Sequence, residues 1–306
     1  MSGHLIEDFP ARHVPGLGGS RAPLEAGLHR FGHMFRHWTN VSPEKSPLKQ
    51  HTAAPGQDMS TGQPERLFSG PIGTEYQMLD LICPAAAAMS KRVGGFVASL
   101  PANAAERPHA LRVFEIGCGT GRTTLALLES REDLVIRAAD NEPAMLDQAR
   151  GNLSQHIGQG RVQLIEADAL TALRELPPGS QDVVASAYTV HNFLETYRDQ
   201  VLSEIFRVLR PGGIFVNGDR YALDDTAEHT RLTQEEVRGY FKAFSAISRT
   251  DLLEQWVLHL FSDESADHIM RLSPSLTKMR GIGFDPVEVH FRDGVNTLLT
   301  AVKPAV

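Results

Sequence analysis

The sequence has few cysteines, no long apolar run and no excess of positive charge. Two cysteines in 306 residues, Cys83 and Cys118, cannot form a disulfide framework, which predicts a reduced, cytoplasmic chain. No apolar run approaches the roughly 20 residues that a membrane-spanning helix needs, and the first residues lack the pattern of a signal peptide. The net charge of −7 disfavours nucleic acid as the main partner, because phosphate binding needs a basic surface.

The composition is otherwise that of a globular protein, with 42% hydrophobic and 22% charged residues. Changes in texture along the chain predict three segments: an arm at 1–70, a helical segment at 71–110, and the main domain at 111–306. Within the arm, apolar residues between 24 and 38 recur at helical spacing, and the polar stretch 40–65 is typical of a mobile linker. We expect the arm helix to dock over a binding pocket as a lid.

Three histidines of the arm, His29, His33 and His37, follow one another at intervals of four residues. This spacing places them along one stripe of a helix, and imidazole is a ligand for zinc, copper or nickel. Because no cysteine or glutamate nearby completes a ligand set, we favour solvent-facing or substrate-facing histidines and predict no metal.

The main domain alternates short β-rich runs with amphipathic helices, which predicts a parallel sheet covered by helices on both faces. The fold class is therefore α/β, a Rossmann-like doubly wound sheet. The last two runs flank an Asp-Gly pair and predict an antiparallel hairpin, preceded by a helical insertion at 224–280. The five parallel strands are expected at 112–117, 134–140, 162–168, 182–188 and 213–219.

A glycine-rich loop follows the first predicted strand in VFEIGCGTGRTT, at 113–124. Gly117, Gly119 and Gly121 allow a tight turn and close approach of a ligand to the backbone. A dinucleotide site expects Gly-x-Gly-x-x-Gly, whereas this loop has Gly-x-Gly-x-Gly with Glu115 just before it. A carboxylate so close to the loop suits an ammonium group better than a pyrophosphate. The alternative is a glycine turn that only connects strand to helix.

Acidic residues end the next two strands, at the edge of the sheet where such folds bind ligands. Asp140 lies where a ribose diol needs a carboxylate, and Asp168 can accept from the amino group of an adenine. Each aspartate can instead cap the following helix, and Asn141 can share that task with Asp140; the second of these helices begins near Ala169. Together they predict a pocket for an adenosine with a charged tail.

These motifs, with DVVASAYTVHNF and RVLRPGGIFV, resemble those of class I S-adenosylmethionine-dependent methyltransferases, in the family order, across roughly residues 110–305. The resemblance implies S-adenosylmethionine as cofactor. It implies that Glu115 and the glycine loop hold the methionine portion, Asp140 the ribose and Asp168 the adenine. It further implies that Ser186 and the residues up to Asn192 face the reacting centre, and it places Tyr76 near the methionine carboxylate.

Candidate catalytic residues follow the fourth and fifth strands: Tyr188, His191, Asn192, Asp219 and Tyr221. His191 can act as a base near neutral pH, or it can merely position a loop. Asn192 can bind a carboxylate or an amino group. Asp219 can neutralise a cationic substrate, or it can pair with Arg220.

Three functions remain open from the sequence. We expect methyl transfer to a small, polar metabolite. SAYTVHNF and FVNGDRYA also resemble azetidine-2-carboxylate synthases, and that resemblance implies cyclisation of S-adenosylmethionine with release of methylthioadenosine. The third possibility is a protein that only binds the cofactor. The identity of the acceptor and the oligomeric state are not determined by the sequence.

Overall fold

The described part of the chain is built around one mixed β-sheet. The structure is a computed structural model and describes residues 71–75, 78–101 and 110–305. Its strands are β1 (Leu111–Ile116), β2 (Leu134–Asp140), β3 (Val162–Glu166), β4 (Gln181–Ala187), β5 (Leu209–Arg220), β6 (Val287–Asp293) and β7 (Asn296–Val302). Its helices are α1 (Pro71–Thr74), α2 (Leu79–Ile82), α3 (Ala85–Ser99), α4 (Arg122–Ser130), α5 (Pro143–Asn152), α6 (Ser154–Gly158), α7 (Ala169–Arg174), α8 (Glu195–Val208), α9 (Thr226–Ala246), α10 (Thr250–Asp263) and α11 (Leu272–Ile282).

The seven strands lie in the order β3-β2-β1-β4-β5-β7-β6. Strands β1 to β5 are parallel, whereas β7 runs antiparallel to both β5 and β6. The predicted fold class, five parallel strands closed by a C-terminal hairpin, is thereby confirmed. The strand order reverses between β1 and β4, and sheets of this kind bind ligands at that point, beyond the carboxyl ends of the strands.

Two apolar cores cover the faces of the sheet. On β1, Val113 packs into the core formed with α3, α4 and α5, whereas the next residue, Phe114, packs into the core formed with α7, α8 and α11. The central strands are buried on both faces, and for this reason their sequences are almost continuously apolar.

Some element boundaries differ from those predicted. Strand β5 begins at Leu209 instead of 213, because Gly212 donates its N–H to Lys303 O and Lys303 donates its N–H to Gly213 O, which extends the pairing. Strand β3 ends at Glu166, two residues early, since Asp168 begins the turn into α7. Pro84 lies at the break between α2 and α3.

The helices α9, α10 and α11 lie between β5 and β6, where the helical insertion was expected. Asp225 begins α9 by accepting the N–H groups of Ala227 and Glu228. Helices α9 and α10 pack with α1 around a third apolar cluster that includes Phe244 and Trp256.

Candidate active site

A cleft lies beyond the carboxyl ends of β1 to β4, and we call it the strand-end cleft. Its volume is about 1060 Å³, including the space open to solvent. Its walls are residues 117–120 after β1, 140–142 after β2, 167–169 after β3, and the turn after β4, with α3 closing one side. The space is large enough for a nucleoside-sized ligand.

The glycine loop forms one wall of this cleft. Gly117, Gly119 and Gly121 have φ angles of 67°, 53° and 85°, a backbone region that other residues rarely adopt. Gly117 and Gly119 line the cleft, whereas Gly121 packs against Leu153. A Cβ on Gly119 would meet no heavy atom within 4 Å, so its backbone borders open space where a ligand can approach.

Gly117 and Gly119 allow a matched test of the loop, because only one of them is sterically enclosed. A Cβ on Gly117 would lie 2.3 Å from Thr189 Oγ1, whereas the Cβ of Gly119→Ala carries backbone strain alone. We expect Gly117→Ala to lower the free energy of unfolding by about 1–2 kcal/mol more than Gly119→Ala. Chemical denaturation measures the free energy of unfolding of both variants, and equal losses would contradict the steric enclosure of Gly117.

Asp140 lines the cleft at the end of β2. Its Oδ2 accepts the Gly119 N–H at 2.8 Å, and its Oδ1 accepts the Glu142 N–H at 2.9 Å. Burial raises the pKa of this carboxyl above its ordinary value. The residue that caps α5 is Glu142, so the alternative in which Asp140 or Asn141 caps this helix is wrong. Asn141 also lines the cleft, and Pro143 is the first residue of α5.

Asp168 both caps a helix and lines the cleft. Its Oδ1 accepts from the backbone of Leu170 and Thr171 at 3.1 and 3.0 Å, and from the Tyr197 hydroxyl at 2.7 Å. The prediction that Asp168 can cap the helix is thus confirmed. Asp168 and Ala169 also lie on the wall of the strand-end cleft, and the predicted contact of Asp168 with an adenine stays a prediction.

Glu115 and Ser186 do not lie on the cleft wall, which corrects the expectation of direct contact. Glu115 is 0% exposed and accepts the Thr124 hydroxyl at 2.6 Å, while its Oε1 has no hydrogen-bond partner among the described residues. Burial raises its pKa to about 7. Ser186 is also fully buried, because β4 is covered on both faces.

Tyr76, the arm with its expected lid helix, and the stripe of His29, His33 and His37 lie outside the described residues. Their predicted roles stay predictions.

A second space, which we call the helical cavity, adjoins the cleft. Its volume is about 1150 Å³, again counting space open to solvent. Its walls come from α9, α10, the junction of α2 and α3, and the tip of the β6–β7 hairpin. Ala86 and Tyr188 belong to the walls of both spaces. The two spaces therefore meet at these residues.

His191 lies on the wall of the helical cavity and is held from behind by Asp219. The His191 Nδ1 lies 2.6 Å from Asp219 Oδ1, and Asp219 also accepts the backbone N–H groups of Val190 and Arg220. Burial opposes protonation of His191, but Asp219 and Asp263 outweigh it, and the pKa of His191 is raised. Asp219 is 0% exposed and orients the imidazole.

Arg220 does not pair with the Asp219 carboxylate through its side chain, in contrast to one expectation from the sequence. Its guanidinium instead forms ion pairs with Glu236 at 2.9 Å and Glu264 at 2.8 Å. The partners of the Asp219 carboxylate are instead His191, the Asn217 side chain and two backbone N–H groups.

Tyr188 and Asn192 lie on the wall of the strand-end cleft, and their expected catalytic roles stay predictions. Tyr188 has a φ of 51°, donates its hydroxyl to Asn296 Oδ1 at 2.5 Å, and stacks edge-on with His191. Asn192 lines the strand-end cleft and donates to the Tyr188 carbonyl at 3.3 Å.

Tyr221 is placed in the core and lines neither space, which corrects the expectation of a substrate contact. It is 0% exposed, and its hydroxyl accepts a hydrogen bond from Asn217 at 2.8 Å. This tyrosine instead supports Asn217, a neighbour of Asp219.

Several residues of the helical cavity were missed by the sequence analysis because they lie on the insertion helices: Glu236, Tyr240, Trp256, His259 and Asp263. The available signal was His259 and Asp263 at i and i+4, a spacing that places both on one helix face.

Comparison with known proteins agrees with this geometry. Residues 113–213 match a family model described as a methyltransferase domain. The strand-end cleft and the sheet define a class I S-adenosylmethionine-dependent methyltransferase fold. Residues 113–213 of this chain are thus similar to methyltransferase domains, and the cofactor of that class is S-adenosylmethionine.

The curated relatives carry a more particular name. The chain is 26% identical over 191 residues to the carboxy-S-adenosyl-L-methionine synthase of Photobacterium profundum, which covers 61% of this chain and 72% of the relative. The enzyme of the same name from Campylobacter lari is 29% identical over 190 residues, which cover 60% of this chain and 74% of that relative.

A solved structure shows the same fold. The phosphoethanolamine N-methyltransferase 2 of Haemonchus contortus superposes with a TM-score of 0.54 at 16% identity, covering 80% of this chain and 61% of that one. The chain thus spans less than two thirds of that neighbour's length.

Among the described residues, no helix combines the length and apolar character that crossing a membrane would require.

Proposed function

We propose that this protein transfers the methyl group of S-adenosylmethionine to a small, polar acceptor bound in the helical cavity. The observation that carries the proposal is the meeting of two spaces at Tyr188 and Ala86. Group transfer needs donor and acceptor sites that adjoin, so that the reacting atoms approach in line.

The strand-end cleft fits an adenosyl cofactor. When bound, S-adenosylmethionine supplies an electrophilic methyl carbon whose leaving group is a neutral thioether. Asp140 offers carboxylate oxygens to the ribose hydroxyls, and Asp168 offers an acceptor to the adenine amine. Gly119 leaves the room for a ligand that a side chain would fill.

The helical cavity fits a polar acceptor. Glu236, Asp263 and Asp293 bring carboxylates to its walls, and the Arg220 guanidinium is already paired with Glu236 and Glu264. His191 faces this space and is held in one orientation by Asp219, so its imidazole contacts the acceptor side of the junction. A nucleic-acid acceptor is disfavoured by the acidic chain.

Cyclisation of the cofactor is the second candidate. It needs no acceptor space, whereas the helical cavity offers about 1150 Å³ beside the cleft. This volume favours transfer to a second molecule. The name of the curated relatives adds a third possible product, a carboxylated S-adenosylmethionine.

One assay separates these reactions. The purified protein is incubated with S-adenosylmethionine alone and then with mixtures of small polar acceptors, and the nucleoside product is identified by mass spectrometry. We expect S-adenosylhomocysteine only when an acceptor is present. Methylthioadenosine without an acceptor would establish cyclisation, a carboxylated cofactor would establish the chemistry of the relatives, and an unchanged cofactor would indicate a binding protein.

A pair of space-filling variants tests the assignment of the two sites. Leu232 lines only the helical cavity and Ala169 only the strand-end cleft. We expect Leu232→Trp to raise the KM for the acceptor roughly tenfold or more while the Kd for S-adenosylmethionine stays unchanged. Ala169→Trp should abolish cofactor binding. Loss of cofactor binding in Leu232→Trp, or unchanged acceptor kinetics, would contradict the assignment.

A further inference from the structure

Two histidines and an aspartate converge on one point of the helical cavity. His259 and Asp263 lie one turn apart on α10, and His191 comes from the short turn after β4. One ligand atom of each residue lies within 4.8 Å of the others. The His191 Nε2 is 3.8 Å and the His259 Nε2 is 3.7 Å from Asp263 Oδ2. We call these residues the His-His-Asp cluster.

The Asp263 carboxylate is only partly paired by the side chains around it. It is 8% exposed, and its Oδ1 has no hydrogen-bond partner among the described residues. The nearest guanidinium on the cavity wall, Arg220, is bound by two other carboxylates. A buried carboxylate oxygen without a hydrogen bond is costly, and a bound cation would offset this cost.

The support behind His191 is the kind that metal ligands have. Asp219 lies 2.6 Å from Nδ1, which leaves Nε2 directed at Asp263. A carboxylate on the remote nitrogen of a histidine fixes the ring and raises the basicity of the ligating nitrogen. Three residues of the cluster therefore present two imidazole nitrogens and one carboxylate oxygen toward the same cavity.

We propose that the His-His-Asp cluster binds one divalent first-row transition-metal ion. Two imidazoles and one carboxylate form the donor set of catalytic zinc and non-haem iron(II) sites, which keep positions open for water or a substrate. Two of the three donor separations, 3.8 and 3.7 Å, exceed by a few tenths of an ångström the roughly 3.4 Å expected around zinc with bonds of about 2.1 Å, and the third is at most 4.8 Å. Side-chain rotations would have to close these gaps.

The ion defines a class of acceptor, and this step rests on the proposed function. The three donor residues line the helical cavity, so an acceptor bound there could reach the ion through a hydroxyl, enol or carboxylate oxygen. Metal ligation of Nε2 also gives His191 a positioning role, because the same nitrogen is then unavailable as a proton acceptor. When bound, the ion would lower the pKa of a hydroxyl that it ligates.

The test is titration of the chelator-treated full-length protein with Co²⁺ alone, followed by visible absorption and calorimetry. We expect saturation at one ion per chain, displacement by Zn²⁺, and a rise in Tm with the ion. Asp263→Asn and His259→Ala should each weaken binding at least roughly tenfold, and Asp219→Asn about 10- to 100-fold. Circular dichroism shows whether each variant folds. If His259→Ala does not fold, the conservative variants Asp263→Asn and His259→Gln are used in its place.

Two control variants distinguish this cluster from other histidines. His290 bonds Thr300 on the hairpin and lies outside the helical cavity, so His290→Ala should bind Co²⁺ as the wild type does. The triple variant His29→Ala, His33→Ala, His37→Ala should also bind normally. No saturable binding, or loss of binding only in the triple variant, would overturn the proposal. Because the titration contains neither cofactor nor acceptor, its result is independent of the methyl-transfer assay.

Discussion

Asp219→Asn should lower turnover by about 10²–10⁴-fold, the range seen when a carboxylate behind a functional histidine becomes an amide. The Kd for S-adenosylmethionine should stay nearly unchanged. Asp219 accepts hydrogen bonds through both of its oxygens, from Val190 N–H at 2.9 Å and from Arg220 N–H at 2.8 Å. An amide nitrogen in place of either oxygen faces a donor, and His191 loses its charged partner. Asp219 lines neither space, so the cofactor keeps its contacts.

Asp182→Asn is the matched control for the Asp219 variant. Asp182 is also buried and paired, with Arg112 and Arg210, but lies at the beginning of β4, at the opposite end of the sheet from the cleft. We expect this control to lose stability and to keep the turnover number of its folded fraction. Steady-state kinetics, cofactor titration and thermal denaturation of both variants separate the two effects. Similar turnover in both variants would show that Asp219 only stabilises the fold.

Glu115→Gln should become more stable relative to the wild type as the pH rises, by up to about 3 kcal/mol. Burial raises the pKa of Glu115 from 4.5 to about 7, an effect that the Thr124 hydroxyl only partly offsets. Between these values the folded protein holds a proton that the unfolded chain has released. The contribution of Glu115 to the free energy of unfolding is therefore complete below about pH 4.5 and is lost as the pH rises through 7. Glutamine has no proton to lose.

The measurement is the difference in unfolding free energy between variant and wild type, followed from about pH 4.5 to pH 8. If the amide nitrogen of the glutamine takes the position of Oε1, it has no hydrogen-bond partner there. This loss of stability is the same at every pH, so it does not change the pH dependence of the difference. Glu129→Gln, at an exposed position on α4, is the control and should give a difference independent of pH. A flat profile for Glu115→Gln would show that the carboxyl ionises normally in the folded protein.

The fold could be predicted because its signals are local and repeated. The run LVIRAAD gave the bounds of β2 as observed, and the Asp293-Gly294 pair marked the hairpin between β6 and β7. A parallel sheet then follows from the alternation of strands and helices, and the position of the cleft follows from the sheet. Asp140, Asp168 and Asn192 reach the cleft for this reason.

The remaining site residues depend on packing between distant segments. His191 Nε2 lies 3.8 Å from Asp263 Oδ2, although the first residue follows β4 and the second belongs to α10. Nothing near either residue in sequence indicates that contact. Side-chain direction is equally hidden. Glu115 and Ser186 lie on strands that are covered on both faces, and their side chains are fully buried. The Tyr221 side chain, just beyond the end of β5, is also fully buried. A sequence motif places a residue at the end of a strand, but it does not show whether the side chain lines the cleft or is buried in the core.

The shared wall between the two spaces has a thermodynamic consequence. Tyr188, held in a left-handed backbone conformation and bonded to Asn296, contributes one ring to both sites. A ligand that displaces this ring in one site changes the shape that the other site offers. Linkage then requires that whatever factor the first ligand applies to the affinity of the second, the second applies to the first. The order in which the ligands are added cannot alter this coupling free energy, which equilibrium titrations in both orders would measure.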